Sequence, residues 1–322
     1  MDIRFKRGYI VYKNSRSNFV TVTPHSGPAL ENPTSRDDNS ETVGSICWKR
    51  FGGKFVVSNM PRNRVLGIDF NRDIPSLNEA LNAYQLFSER SDANKINEYK
   101  KRYGWVAKDE GDYYDRLSIY QNFWADVDAG DPIVFLHRAF PRVKAIPSII
   151  DVITFQNEGV DKLKVEKIVA DLNEEYAPFM KKLETDYKKM ILFEEKRLIY
   201  NTIKTFKTFD INKLSGEIKK GIEKDIEKIK EYADDNFVRQ LMRDFNPNTF
   251  LDAVNSALKN SPPPMITTEH VFNGSLAFGP KRKLFPTNKT IIEVEPSRFM
   301  NFWYPEVVAD IIQKLLRRIN TN

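Results

Sequence analysis

Residues 21–72 read TVTPHSGPALENPTSRDDNSETVGSICWKRFGGKFVVSNMPRNRVLGIDFNR, and the fold is decided by how this stretch is read. The apolar run Phe19-Val20-Thr21-Val22 leads into Pro24-His25-Ser26-Gly27, a polar loop that ends on glycine. An acidic group, Asp37, Asp38 and Glu41, then introduces an amphipathic segment. A second β-type run, Phe55-Val56-Val57, follows, and a third, Leu66-Gly67-Ile68-Asp69-Phe70, ends on Asn71-Arg72. Alternating strand and helix signals predict a parallel or mixed sheet with helices on its faces. In such folds the chemistry gathers where strands end and helices begin.

Upstream, Tyr9–Tyr12 and Phe19–Val22 suggest a strand pair around the turn Asn14-Ser15-Arg16-Ser17. Asp38-Asn39-Ser40-Glu41 has capping-box form and predicts a helix from Asp38 that stops at Gly52-Gly53. Ser76-Leu77-Asn78-Glu79 repeats that form and predicts a helix to about Ser88. Residues 92–126 suggest two helices broken around Gly104 and Gly111. The wholly apolar Ile133-Val134-Phe135-Leu136 ends at His137, the pattern of a central strand buried on both faces. Ile149–Phe155 is a further strand candidate.

From about Val160 to Leu258, Lys and Glu dominate, and apolar residues recur at helical spacing: Leu163, Val165, Ile168, Val169 and Leu172, then Ile222, Ile226 and Ile229. This predicts an all-α insertion or cap. Ser261-Pro262-Pro263-Pro264 links back to the body. Thr290–Glu295 reads as a late strand ended by Pro296, and Pro305–Ile319 as a closing amphipathic helix. The expected architecture is therefore α/β, a mixed sheet flanked by helices, with an all-α insertion. Residues 1–159 form the first part of the body, 160–260 the insertion, and 261–322 the last strand and C-terminal helix.

The 322 residues are 41% apolar and 12% aromatic, ample for a buried core. No apolar run approaches the roughly 20 residues that cross a bilayer. Met1–Arg7 lacks the apolar region of a signal peptide, and a single cysteine excludes an internal disulfide, so the expectation is a cytoplasmic protein. Cys47, between Ile46 and Trp48, reads as a small buried hydrophobe. A net charge of +6 would suit an anionic partner, but Lys, Glu and Asp are interleaved as on a solvated surface. No phosphate-binding glycine loop is present.

Of the three histidines, His25 and His137 directly follow strand-like runs. Hydrolytic zinc takes three protein ligands, usually His and carboxylate, and keeps one position for water. Taken singly, each of these residues has a plainer reading. A strand-end His is usually an ordinary polar residue, Asp38 and Glu41 are caps, Asn71-Arg72 is a surface turn, and His270 is an incidental loop residue. Arginine is nevertheless the side chain suited to a paired grip on a carboxylate. Glu293 and Glu295, two apart on a strand, share a face.

Pro24-His25-Ser26-Gly27, the helix-start acids, Gly67-Ile68-Asp69-Phe70-Asn71-Arg72, the strand ending in His137 and Ile292-Glu293-Val294-Glu295-Pro296-Ser297-Arg298 occur in an order that resembles the N-formylglutamate amidohydrolase family, which is related to the zinc carboxypeptidases and the aspartoacylase group. Asn273–Gly279 resembles the loop that precedes the last of these elements. The resemblance covers residues 19–72, 132–138 and 270–300. It implies a zinc-carboxypeptidase-like fold, bound Zn2+, and His25 and His137 as ligands, with the third ligand among Asp38, Glu41 and Asp37. It further implies that Asn71 and Arg72 hold the carboxylate of an N-acyl amino acid or a C-terminal residue, and that Arg64 or Arg62 stabilises the oxyanion. Glu295 becomes the general base that passes water's proton to the leaving amine. Two features depart from the pattern: Arg138 stands where family members carry a small residue, and the spacing from Arg64 to Asp69 is one residue longer.

The activity so implied is zinc-dependent hydrolysis of an amide beside a free carboxylate, on a small-molecule or peptide substrate, away from any membrane, with homo-oligomer formation left open. Two competing readings are an inactive hydrolase-like ligand-binding protein and a basic nucleic-acid-binding scaffold. The scaffold reading is disfavoured, because the basic residues are not interleaved with base-stacking aromatics.

Overall fold

The computed structural model of the chain describes residues 1–30, 36–89, 91–139, 147–208, 259–270, 272 and 289–320. Its strands are β1 (Asp2–Lys6), β2 (Tyr9–Lys13), β3 (Val20–Thr23), β4 (Lys54–Ser58), β5 (Ile133–Leu136), β6 (Ser148–Ile153), β7 (Met265–Thr268) and β8 (Ile291–Pro296). They form one eight-stranded sheet in the order β1-β2-β4-β3-β5-β8-β6-β7. The middle of the sheet is parallel: β4 with β3, β3 with β5, and β5 with β8. Antiparallel pairing flanks it, β1 with β2, β2 with β4, and β6 with β8.

All residues of β3, β5 and β8 are buried, as a strand covered on both faces requires. Helix α1 (Ser40–Phe51) joins β3 to β4 and packs on the C-terminal helix α7 (Pro305–Asn320), which turns Val308, Ile311, Ile312, Leu315 and Leu316 inward. Helices α2 (Leu77–Glu89), α3 (Ala93–Arg102) and α4 (Glu110–Asp128) follow β4, and the short α6 (Arg298–Trp303) follows β8. Helix α4 brings Tyr120, Phe123 and Trp124 into one cluster with Val20, Val22, Ile133 and Phe135. Phe70 stacks on Phe123 with ring centroids 4.0 Å apart. Each such side chain contributes about 1.5–3 kcal/mol through burial. The side chains of Asp92 and Asp109 accept backbone N–H bonds from Lys95 and Asp112 and so start α3 and α4.

Helix α5 (Lys162–Thr208) contains Pro178. One compact unit consists of Met1–Phe140, Ile149–Glu174 and Ile266–Asn322, and a second of Pro141–Ser148 and Glu175–Met265. Within the second, Met180, Leu183, Tyr187 and Ile191 are buried, and the Tyr187 hydroxyl donates to the Ser148 carbonyl. Ile222, Ile226, Ile229 and the loop Asn273–Gly279 lie outside the described residues. No described helix is long and apolar enough to cross a membrane.

Three local expectations are corrected, and one strand was not among them. β2 and β3 do not pair with each other, because the turn after β2 bonds to the end of α1 instead. Asn14 N–H donates to the Gly53 carbonyl at 2.9 Å, and Gly53 N–H to Asn14 Oδ1 at 2.8 Å. β1 is a short edge strand whose one apolar face, Ile3 and Phe5, is exposed. Residues 66–70 are loop, not strand. Ile68 and Phe70 are apolar because they plug the core, while the Ile68 N–H donates to the Pro61 carbonyl and the Asp69 N–H to that of Gly104 rather than to a strand ladder. Helix α1 starts at Ser40 behind Asn39 in a left-handed conformation with no side-chain cap, so the Asp38–Glu41 box is not formed. The Ser76–Glu79 box is formed, with both reciprocal bonds made.

Candidate metal centre

Because β3 and β5 are parallel neighbours with Val22 opposite Phe135, the loops that leave them emerge side by side. His25, just past the end of β3, and His137, immediately after β5, are 3% and 4% exposed, and their ring centroids lie 4.8 Å apart. Gly27 lets the first loop close. A Cβ at this position would stand 1.9 Å from the Met60 carbonyl oxygen, so no side chain fits. Gly67 meets the Pro61 carbonyl in the same way, which packs the 66–73 loop against the same segment. Asp37, just ahead of α1, donates its N–H to the His25 carbonyl and is thereby tied to the histidine loop.

Donor atoms of His25, Asp37 and His137 all lie within 4.8 Å of one another, and all three residues are buried. Asp37 Oδ2 is 3.1 Å from His25 Nδ1 and 2.8 Å from His137 Nδ1. Burial pushes the Asp37 carboxyl up, but the bonds to His137 and His25 outweigh it and hold the group far below the usual carboxylate range. Burial likewise holds His137 below its ordinary value, against the pull of Glu293 and Asp37. Two imidazoles and one carboxylate on one point are a hydrolytic zinc donor set, so the residues present fit that ion.

The outer nitrogens are also partnered. His25 Nε2 faces Asp69 Oδ1 at 2.9 Å, and Asp69 Oδ2 takes Arg62 Nε and Arg64 Nη2, each at 2.9 Å. Asp69 is fully buried, and despite that burial the two guanidiniums hold it well below the usual range. A carboxylate behind a ligating His fixes ring orientation and raises its basicity. His137 Nε2 faces Asn71 Nδ2 at 3.1 Å, and Glu293 Oε2 lies 3.7 Å away. Glu293 and Glu295 are both buried on β8. Burial, then the charges of Glu293 and Asp37, push the Glu295 carboxyl well above its ordinary value.

The acid that reaches both imidazoles is Asp37, not Asp38 or Glu41. Arg36 takes the Glu41 carboxylate, Arg298 lies 3.5 Å from that of Asp38, and neither acid joins the group. Arg64 does not present itself as an oxyanion donor. Besides Asp69, its guanidinium bonds the carbonyls of Tyr103, Arg62 and Lys100, and burial lowers its pKa to about 10. Arg62 is the more open of the pair, with 26% side-chain exposure against 7%. Arg72 is half-buried and donates to the carbonyls of Lys100 and Asn71. Asn71 contacts His137 rather than open space. Arg138 is 5% exposed and donates to the Arg36 carbonyl. His270 donates its backbone N–H to Asp151 and is not in the group. Sequence reading missed the part of Asp69, although its place two residues before Asn71 in Gly67–Arg72 was the available signal.

No family model matches the chain, and no curated protein matches it. Among solved structures, the crystal structure of gene product Atu2144 from Agrobacterium tumefaciens is similar with a TM-score of 0.43 and 9% identity, over 98% of this chain and 96% of that one.

Proposed function

We propose that this chain is a zinc-dependent amidohydrolase that cleaves an amide next to a free carboxylate, on a zinc-carboxypeptidase-like variant of the mixed α/β fold. The observation that carries the reading is the convergence of His25, Asp37 and His137, 12 and 100 residues apart from one acid, with their Nδ1 atoms on one carboxylate oxygen. His25, Asp37 and His137 would hold the ion. A bound zinc would lower the pKa of water towards roughly 7 and polarise the scissile carbonyl.

The chain's own groups supply the rest. Glu295, buried beside Glu293, is suited to accept a proton from water and return it to the leaving amine, because burial raises its affinity for protons. Arg72 is the arginine for the substrate's carboxylate, since its backbone bonds brace the side chain. Arg62, held on Asp69, is better exposed than Arg64 to meet negative charge that develops on the carbonyl oxygen.

The test is metal content and turnover on a panel of N-acyl amino acids and short peptides. Protein prepared without chelator is expected to carry one zinc per chain, and Glu295→Gln to lose about 10²–10⁴ in kcat while keeping the metal. Protein without zinc, together with a His25→Ala variant indistinguishable from it, would sink the reading. Zinc without turnover on any substrate would leave a ligand-binding protein in place of an enzyme.

A further inference from the structure

Asn71 is 3% exposed, its Nδ2 is 3.1 Å from His137 Nε2, and its Oδ1 has no hydrogen-bond partner. An N–H donor at that position requires Nε2 to accept. The ring proton then sits on Nδ1 and is donated to Asp37 Oδ2 at 2.8 Å. In this state His137 has no Nδ1 lone pair to offer a cation. To ligate through Nδ1 the ring must carry its proton on Nε2, and that proton then needs an acceptor. Glu293 Oε2, at 3.7 Å, is beyond hydrogen-bond range. A half-turn of the Asn71 amide about its Cβ–Cγ bond exchanges two groups of nearly equal size: it brings Oδ1 to Nε2 and moves Nδ2 to where Oδ1 stood. At His25 the outer nitrogen already faces an acceptor, Asp69 Oδ1.

We propose that Asn71 is a positioning residue for a divalent cation at this centre, whose amide turns over as the metal loads while the His137 proton passes from Nδ1 to Nε2. The proton count at His137 is unchanged: one N–H bond breaks, one forms, and the ring stays neutral. The inference rests on the zinc reading above, and it assigns Asn71 to the metal rather than to the substrate's carboxylate. Loss of an outer partner of a ligating His typically costs about 10–100-fold in metal affinity.

Selective ¹⁵N labelling of the three histidines and titration with zinc alone tests the exchange in the unaltered protein. His137 is expected to show Nδ1–H before zinc and Nε2–H after it. In parallel, zinc competition against a chromophoric chelator should show Asn71→Leu weakened about 10–100-fold. Asn71→Asp, which always presents an acceptor, should hold wild-type affinity or exceed it. Nε2–H in both states, or a folded Asn71→Leu with wild-type zinc affinity, overturns the proposal and leaves the zinc site standing. Wild-type protein that takes up no zinc removes both. Should Asn71→Leu fail to fold, the labelled wild-type protein decides alone.

Discussion

Asp69 Oδ1 stands 2.9 Å from His25 Nε2, and through its second oxygen the same carboxylate pairs with Arg62 and Arg64. One buried group therefore serves both the candidate metal site and the folded loop. Asp69→Asn is expected to weaken zinc binding about 10–100-fold and to destabilise the fold by about 3–5 kcal/mol, because it leaves buried guanidinium charge uncompensated. Zinc competition and urea unfolding measure the two effects, and stability close to wild type would contradict the second.

Asp37 is the only helix-start acid within reach of both imidazoles. Asp37→Ala is expected to abolish tight zinc uptake, whereas Asp38→Ala and Glu41→Ala should bind as the parent does. Metal content after dialysis at fixed free zinc separates these outcomes. Loss of zinc in Glu41→Ala with Asp37→Ala unaffected would reverse the ligand assignment.

Gly27→Ala places a methyl 1.9 Å from the Met60 carbonyl oxygen, a backbone atom that cannot swing aside. Overpacking of this kind costs about 1–3 kcal/mol or more, and here the movement would displace the loop that carries His25. A lowered melting temperature accompanied by weaker zinc binding is expected. An unchanged melting temperature would show that the loop relaxes freely.

Cys47 is fully buried in α1, and that burial pushes its thiol up to about 12. Its folded value is thus above the ordinary value of about 8.5. The stabilisation linked to the protonated thiol is complete below about 8.5 and is lost as pH rises towards about 12, because the unfolded chain ionises first. Native protein at neutral pH should react with no thiol reagent, and protein in guanidinium should react once. Rapid labelling of the native state would show that α1 opens.

Elements whose chemistry is complete within a few residues were legible. The wholly apolar Ile133–Leu136 is β5, the Ser76–Glu79 box starts α2, and the one-sided pattern from Pro305 is α7. Legibility fell where an apolar residue served a loop, as with Ile68 and Phe70, since burial alone does not distinguish a plug from a strand. It fell also at Asp37 and Asp38. Adjacent carboxylates have the same chemistry on paper, and only the backbone bond from Asp37 to His25 decides which one faces the rings. The histidines were readable because strand ends in a parallel sheet share one edge. Asp69 was not singled out, since its value lies in touching His25 and two arginines at once.

Strand β8 lies between β5 and β6 although it is made more than 130 residues after either of them. During synthesis, the ribosome has released His25, Asp37 and His137 long before the strand that bears Glu293 and Glu295 exists. Until that strand slots in, the facing edges of β5 and β6 have no mate, and open edges recruit other chains. Fragments that end before residue 291 should therefore clump rather than persist as smaller working versions, and recombinant expression will favour the uninterrupted polypeptide.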